Sequence, residues 1–93
     1  MAQISWTKRS LKDLRAIDDY ISLDSDFYAK RFVSKLIERV DQLVDFPKSG
    51  RIVPEKDDQT IRELIEGNYR IFYRFQKSKI TILRIHNSAR KIK

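Results

Sequence analysis

Several arginines and one histidine near the end of the chain have the residue types for chemistry on anions. The arginines are Arg70, Arg74, Arg84 and Arg90, and His86 is the only histidine. Guanidinium groups bind phosphates or carboxylates bidentately and stabilise charge that develops on a scissile phosphate. An imidazole transfers protons near neutral pH, and neighbouring cations favour its neutral, basic form. The pattern therefore predicts either a site that acts on phosphates or a surface that binds an acidic protein, although a lone histidine is more often structural than catalytic.

The chain lacks the residues that several other kinds of site require. The chain has no cysteine, so disulfides, thiolate catalysis and zinc-thiolate sites are excluded. One histidine without a carboxylate cluster does not make a metal-ligand set. There is no glycine-rich phosphate loop and no Ser-His-Asp arrangement. Glu63 and Glu66 are interpreted as local charge balance. We therefore expect no metal and no cofactor.

The charge is concentrated in the last third of the chain. The 93 residues contain 20 Lys and Arg and 13 Asp and Glu, a net charge of +7. Residues 61–93 hold nine basic and two acidic residues, which accounts for the whole excess. This asymmetry indicates a polyanionic or acidic partner, and the alternative is a solvated basic surface. The candidate contacts to a target or nucleic acid are Arg62, Arg74, Arg84, Lys91 and Lys93.

Length and composition predict a single domain over residues 1–93. A core of this size is thin, so an obligate partner is plausible. No apolar run is long enough to span a membrane, and no signal peptide is readable at the start. The expected compartment is the cytoplasm.

The first half of the chain has helical periodicity after a short strand. Residues 3–6 are β-compatible, and Thr7 is placed to cap a helix over residues 8–23. A polar turn leads to a second amphipathic helix, which is expected to end at Phe46 because Pro47 disfavours helical geometry in the residue before it. Two such helices joined by a turn predict an antiparallel hairpin.

The second half has the two-residue period of strands. Residues 48–59 are predicted to form a loop, and strands are predicted over residues 60–65, 69–76 and 79–86. The order β-α-α-β-β-β predicts an α+β fold in which the N-terminal strand and the helical hairpin pack on one face of a small antiparallel β-sheet.

The last two strands decide which residues the second face of the sheet presents. If Lys77-Ser78 is a two-residue turn, Tyr69 lies opposite His86, and the second face carries an apolar floor rimmed by arginines. A free face with three large apolar side chains is expected to bind a partner. The floor is Phe72, Leu83 and Ile85. A one-residue bulge would shift this register and scatter the grouping.

Residues along nearly the whole chain resemble the RelE/ParE superfamily of bacterial toxins. They include Ile4-Ser5-Trp6-Thr7, Phe46-Pro47-Lys48-Ser49-Gly50-Arg51, Arg62-Glu63-Leu64, Gly67 to Arg74, and Ile82 to His86 followed by Arg90. The resemblance implies a helical hairpin on a small antiparallel sheet. It also implies a growth-inhibiting toxin of a type II toxin–antitoxin module. A cognate antitoxin would neutralise it through a segment that orders on binding, giving a hetero-oligomer in which Phe72, Leu83 and Ile85 contact the antitoxin.

The superfamily has two activities, and the resemblance implies one of them. RelE-like members cleave mRNA on the ribosome, whereas ParE-like members inhibit DNA gyrase. As a ribonuclease, this chain would use Arg70, Arg90 and His86 as catalytic residues. The lysines that RelE-like enzymes carry on the preceding strand are replaced by Ile61 and Glu63, and the C-terminal tyrosine has no counterpart. The resemblance therefore favours the ParE-like branch. The alternative within the superfamily is a ribosome-dependent mRNA endoribonuclease. The alternative outside the toxin class is a small basic nucleic-acid-binding module.

Overall fold

The computed structural model describes residues 2–88, and in this part of the chain two helices cover one face of a five-stranded sheet. In chain order the elements are β1 (Gln3–Trp6), α1 (Lys8–Ser22), α2 (Asp26–Asp41), a short 3-10 helix (Gln42–Val44), β2 (Arg51–Ile52), β3 (Ile61–Glu66), β4 (Tyr69–Gln76) and β5 (Lys79–Asn87). The strands lie in the order β1-β5-β4-β3-β2. The predicted α+β class, with a helical hairpin on one face of the sheet, is confirmed.

The sheet differs from the predicted one at both edges. β1 pairs with β5 in parallel, so the sheet is mixed, whereas the remaining pairs are antiparallel. β2 lies inside the segment predicted as a loop and pairs with β3 through only two residues, Arg51 and Ile52. The strand at residues 3–6 was predictable, but its parallel pairing was not, because β1 finds its partner at the other end of the chain. β2 is too short to show a period.

Side-chain caps define the beginnings of both helices. The Thr7 hydroxyl oxygen accepts a hydrogen bond from the Ser10 backbone N–H at 3.0 Å, as predicted, and Ser25 caps α2 in the same way. α2 ends at Asp41, five residues before the predicted end at Phe46. The chain tightens into the 3-10 helix before it reaches Pro47, which is a common way for a helix to end.

The core lies between the helices and the sheet. It consists of Ile17, Leu36, Val40, Leu43, Leu64, Tyr69, Ile71, Tyr73, Ile80, Ile82 and Ile85, with Ile4, Trp6, Leu14, Phe32 and Phe75 packed at its edge. Apolar side chains from α1, α2 and the three longest strands thus meet in one layer, and their burial is the main stabilising contribution. The face predicted to lie under the helices is confirmed over most of its length.

The predicted two-residue turn between β4 and β5 is present. Lys77 and Ser78 have φ angles of 52° and 61°, and Phe75 pairs with Ile80 across the turn. Positive φ at both central residues matches the twist of a tight hairpin, even though neither residue is glycine or asparagine.

A bulge farther along this hairpin changes the register. Tyr73 pairs with Ile82, as predicted, but Phe72 pairs with Arg84, so Leu83 is the extra residue on β5. A β-bulge leaves one residue unpaired and reverses the alternation of the residues that follow it.

The register predicted beyond the bulge is wrong. Tyr69 lies opposite Asn87 and not His86. Ile85 lies in the core beneath the helices with 4% of its surface exposed, so its predicted position on the second face is wrong. Arg84 and His86 move to the second face instead, because each lies opposite a β4 residue of that face.

A buried tyrosine anchors the segment between the helices and the sheet. The Tyr73 hydroxyl donates to the Pro47 carbonyl oxygen at 2.8 Å and accepts from the Gly50 N–H at 3.0 Å. A Cβ at Gly50 would lie 2.6 Å from both this hydroxyl and the Glu63 carbonyl oxygen, so only glycine fits there. Burial raises the pKa of Tyr73, which keeps its hydroxyl protonated as a donor.

Substituting Tyr73→Phe is expected to lower the free energy of unfolding by about 1–3 kcal/mol, because it leaves a buried N–H and a carbonyl without their partner. Tyr28→Phe is the matched control, since it removes the same atom from a side chain on a residue that is 58% exposed. Urea denaturation of both variants measures the difference. Equal stability of the two variants would contradict the anchoring role of Tyr73.

The register that the bulge sets leads to a second prediction about the free energy of unfolding. Ile85→Ala is expected to cost about 2–5 kcal/mol because it opens a cavity in the core. Leu83→Ala is expected to cost about 1 kcal/mol because the Leu83 side chain is only half-buried. Denaturation midpoints at constant m-value compare the two variants, and a larger loss for Leu83→Ala would argue for the register without the bulge.

Candidate functional site on the outer face of the sheet

The face of the sheet opposite the helices, called the outer face below, carries most of the polar residues singled out in the sequence. Residues directly opposed in the ladder share a face, and the observed pairs place the following side chains on it. They are Glu63, Ile65, Arg70, Phe72, Arg74, Arg84 and His86, of which Arg84 has its guanidinium bound to Asp13 on α1. The residues 53–60 between β2 and β3, called the 53–60 loop, contact this face through Glu55 and Asp58.

A buried carboxylate lies at the centre of the outer face. The Glu63 side chain is fully buried, and each of its two oxygens accepts from the Nε of a different arginine. Arg51 on the edge strand β2 supplies one donor and Arg70 on β4 the other. Charge-assisted hydrogen bonds of this kind compensate for the loss of water around a buried charge.

Arg70 contacts a second carboxylate on its outward side. Its Nη1 and Nη2 donate to the two Glu55 oxygens at 3.0 and 3.2 Å. Its guanidinium lies 4.9 Å from the centre of the Phe72 ring, and 19% of its side chain is exposed. Arg51, Glu55, Glu63 and Arg70 together form what is called the arginine–glutamate network below.

The network sets the protonation state of its members. Burial raises the pKa of the Glu63 carboxyl, but the hydrogen bonds from Arg70 and Arg51 outweigh burial, so the pKa is below its ordinary value. Hydrogen bonds to Glu63 and then to Glu55 raise the pKa of Arg70. Glu63 and Arg70 therefore both stay charged at neutral pH, and Arg70 does not exchange protons with a substrate.

Arg74 holds the other end of the 53–60 loop. Its guanidinium donates to Asp58 at 3.2 Å and to the Thr60 hydroxyl at 3.1 Å. Hydrogen bonds from Thr60 and then from Arg74 lower the pKa of the Asp58 carboxyl. Two arginines of β4 are thus paired with acidic residues of one loop.

The other predicted cations do not join this group. Arg62 faces the helix side of the sheet, and its Nη1 donates to the Gly50 carbonyl oxygen at 2.7 Å. Arg84 donates to Asp13 on α1 at 3.1 Å, and the same carboxylate accepts from the Ile85 N–H at 3.0 Å. Arg62 and Arg84 therefore make contacts that are separate from those of the predicted rim residues Arg70 and Arg74 with the 53–60 loop. The remaining predicted cations Arg90, Lys91 and Lys93 lie outside the described residues.

His86 and two residues of the predicted apolar floor, Leu83 and Ile85, lie on the neighbouring strand β5, whereas Phe72 lies on β4 with Arg70. His86 lies directly opposite Arg70 in the β4–β5 ladder and is half-buried. Phe72 and Leu83 are half-buried as well, whereas Ile85 belongs to the core. The outer face thus brings together Arg70, His86 and Phe72.

The acidic half of the network was not recognised from the sequence. The sequence pattern indicates only local charge balance for Glu63, and Glu55 lies in the segment predicted as a loop. One signal was available, because Glu63 lies between Ile61 and Ile65 on the same face of a strand. A carboxylate at such a position requires a cationic partner when it is buried.

Two further properties of the described residues bear on function. Within residues 2–88 no helix combines the length and apolarity that crossing a bilayer requires. In the same range there is no cluster of three or more His, Cys, Asp or Glu residues that could hold a metal ion.

Comparisons with known sequences place this fold in a family. The family model described as the ParE toxin of the type II toxin–antitoxin system parDE matches residues 4–92. Toxin RelE2 of Caulobacter vibrioides is 38% identical over 91 residues, which are 97% of this chain and 99% of the relative. The putative toxin Y4kP of Sinorhizobium fredii is 35% identical over 88 residues, covering 90% of this chain and 88% of the relative.

Solved structures agree with the sequence matches. A chain of the chromosomal ParDE toxin–antitoxin system from P. aeruginosa superimposes with a TM-score of 0.77 at 29% identity, covering 94% of this chain and 96% of that one. A chain of the RelBE2 toxin–antitoxin complex from Mycobacterium tuberculosis has the same fold, with a TM-score of 0.67 at 17% identity and coverage of 92% and 96%. Since the family model spans almost the whole chain and the curated relatives match over nearly their full length, this protein belongs to the ParE/RelE superfamily of type II toxin–antitoxin toxins.

Proposed function

We propose that this toxin inhibits DNA gyrase, as the resemblance to the ParE-like branch implies, and that a cognate antitoxin neutralises it in the cytoplasm. The observation that carries the proposal is the state of Arg70. The guanidinium that a ribonuclease would use is bound to Glu63 on one side and to Glu55 on the other. An arginine held by two carboxylates does not provide the free positive charge that stabilises a scissile phosphate.

The ParE family model and the ParDE structural neighbour support the same branch. Their match covers both helices and every strand, so the support comes from the whole fold and not from one motif. The relative named RelE2 shows that both branch names occur among similar sequences, which makes a direct assay of activity necessary.

The proposed antitoxin has apolar surface to cover on both sides of the molecule. On the outer face Phe72 and Leu83 remain the proposed contacts, and Ile85 is removed from this set because it is buried. Near the tip of the helical hairpin, Leu23 and Phe27 are 82% and 73% exposed. Large apolar side chains at such exposure mark interaction surfaces when they cluster. A segment that wraps the toxin would cover them and form a hetero-oligomer.

Ribosome-dependent mRNA cleavage is the second candidate, and the position of His86 is the observation that favours it. The imidazole is the cross-strand neighbour of Arg70, so a base and a guanidinium share the outer face. Cleavage would require Arg70 to leave Glu55, and the predicted partner Arg90 lies outside the described residues. A nucleic-acid-binding module is less well supported, because the described arginines of the last third are paired within the chain.

Purified toxin is expected to inhibit supercoiling of relaxed plasmid by gyrase at near-stoichiometric concentration. ATP-independent relaxation of the negatively supercoiled form of this plasmid by a type I topoisomerase is the control and is expected to be unaffected. Agarose gels that resolve topoisomers measure both reactions. Normal supercoiling in the presence of equimolar toxin would contradict the gyrase proposal.

The same toxin is expected to leave mRNA intact in a translation extract. Primer extension on a reporter transcript detects any cut at the ribosomal A site. His86→Gln and Arg70→Lys are the diagnostic variants, since Arg70→Lys keeps a positive charge beside Glu63. Cleavage by the original protein that both variants reduce by about 10²-fold or more would establish the ribonuclease and exclude the favoured function.

A further inference from the structure

We propose that the outward edge of Arg70 is a binding site for a carboxylate of an acidic protein segment, and that Glu55 occupies this site as an internal substitute when the partner is absent. The inference rests on the proposed antitoxin partnership and specifies one contact within it. The site consists of the two terminal nitrogens of Arg70, with Phe72 beneath the guanidinium and Glu63 behind it.

The guanidinium is fixed before any partner arrives. Its Nε is bound to the fully buried Glu63, and its Cζ lies over the Phe72 ring, 4.9 Å from the ring centroid. A planar fork that is already oriented loses little conformational freedom when it binds a carboxylate with its two terminal nitrogens. The Nη1 and Nη2 atoms are therefore a preorganised bidentate donor.

The two carboxylates that Arg70 contacts differ in how far they are exposed. The Glu63 side chain has no exposed surface, whereas 60% of the Glu55 side chain is exposed. Glu55 lies in the 53–60 loop between two other exposed residues, Pro54 and Lys56. Exposed ion pairs contribute little to stability, so an external carboxylate can displace Glu55 at little cost, while Glu63 stays in place.

The charges around the site favour a protein carboxylate over a nucleic acid. Replacing Glu55 by another carboxylate leaves the balance of two arginines and two carboxylates unchanged. The 53–60 loop carries three acidic residues and one lysine, and it remains tied to β4 through Asp58 and Arg74. A polyphosphate chain would approach this acidic loop with successive negative charges, which like-charge repulsion disfavours. An extended protein segment can present one acidic side chain with neutral neighbours.

Glu55→Gln tests the exchange, and Asp57→Asn is its matched control. Both substitutions remove one negative charge from an exposed residue of the same loop, but only Glu55 contacts Arg70. The probe is an end-capped hexapeptide with one glutamate among glycine and serine residues, titrated against the ¹⁵N-labelled protein, so that the Arg70 side-chain resonances report the contact. A hexathymidylate strand is the phosphate probe.

Glu55→Gln is expected to raise the affinity for this single-glutamate peptide by about two- to fivefold over the original protein, because removal of an internal competitor raises the fraction of competent sites. Asp57→Asn is expected to leave it nearly unchanged, and the Arg70 Nε resonance is expected to shift in the Glu55→Gln titration. Equal gains in both variants, or no gain in either, would overturn the proposal. A larger gain for hexathymidylate would overturn it in favour of nucleic acid. A toxin that fails to inhibit gyrase leaves this titration unaffected, so the two failures are distinguishable.

Discussion

The buried charge of Glu63 is the constraint on which the outer face depends. A fully buried carboxylate is tolerated only where cations and hydrogen bonds replace its water, and Arg51 and Arg70 do so from opposite sides. Losing one of these partners would leave an uncompensated buried charge, which costs about 3–5 kcal/mol. The two-residue strand β2 is thereby linked to the central strand β4 through a side chain of β3. The first role of Arg70 is therefore structural, as a counterion of the buried Glu63.

This structural role supports the proposed non-nucleolytic function, even though the chain keeps an arginine in the position that the resemblance assigned to catalysis. Catalysis at a phosphate needs a positive charge that the substrate meets without competition. In this protein the inner nitrogen of that arginine holds Glu63, and its outer nitrogens hold Glu55. What remains available is a binding edge that exchanges one carboxylate for another. Such an edge suits recognition of an acidic partner better than bond cleavage.

The parts of the fold that follow local rules were predictable, and the parts that depend on distant partners were not. The cap at Thr7, the helical hairpin and the turn at Lys77-Ser78 each follow from residues adjacent in the chain. The bulge at Leu83 has no such spacing signal, although the register without it would place Arg84 and His86 on the helix side of the sheet. The observed register brings Ile85 into the core in their place. The network escaped prediction because its members come from β2, the 53–60 loop, β3 and β4. Ion pairs between side chains from four separate segments leave no regular spacing in the sequence.

The double attachment of Arg70 also decides how its substitution has to be interpreted. Removing this side chain uncovers the buried Glu63 and breaks the contact to Glu55 at the same time, so a loss of toxicity would combine a folding defect with a binding defect. The inner contact contributes to the stability of the sheet, whereas the outer contact contributes little to it, because Glu55 is exposed. Changes at Glu55 therefore act on the binding edge alone and leave the buried pair intact. In a small domain whose core is thin, one arginine can hold the fold with its inner nitrogen and present a partner site with the other two, and only substitutions on the exposed side separate these functions.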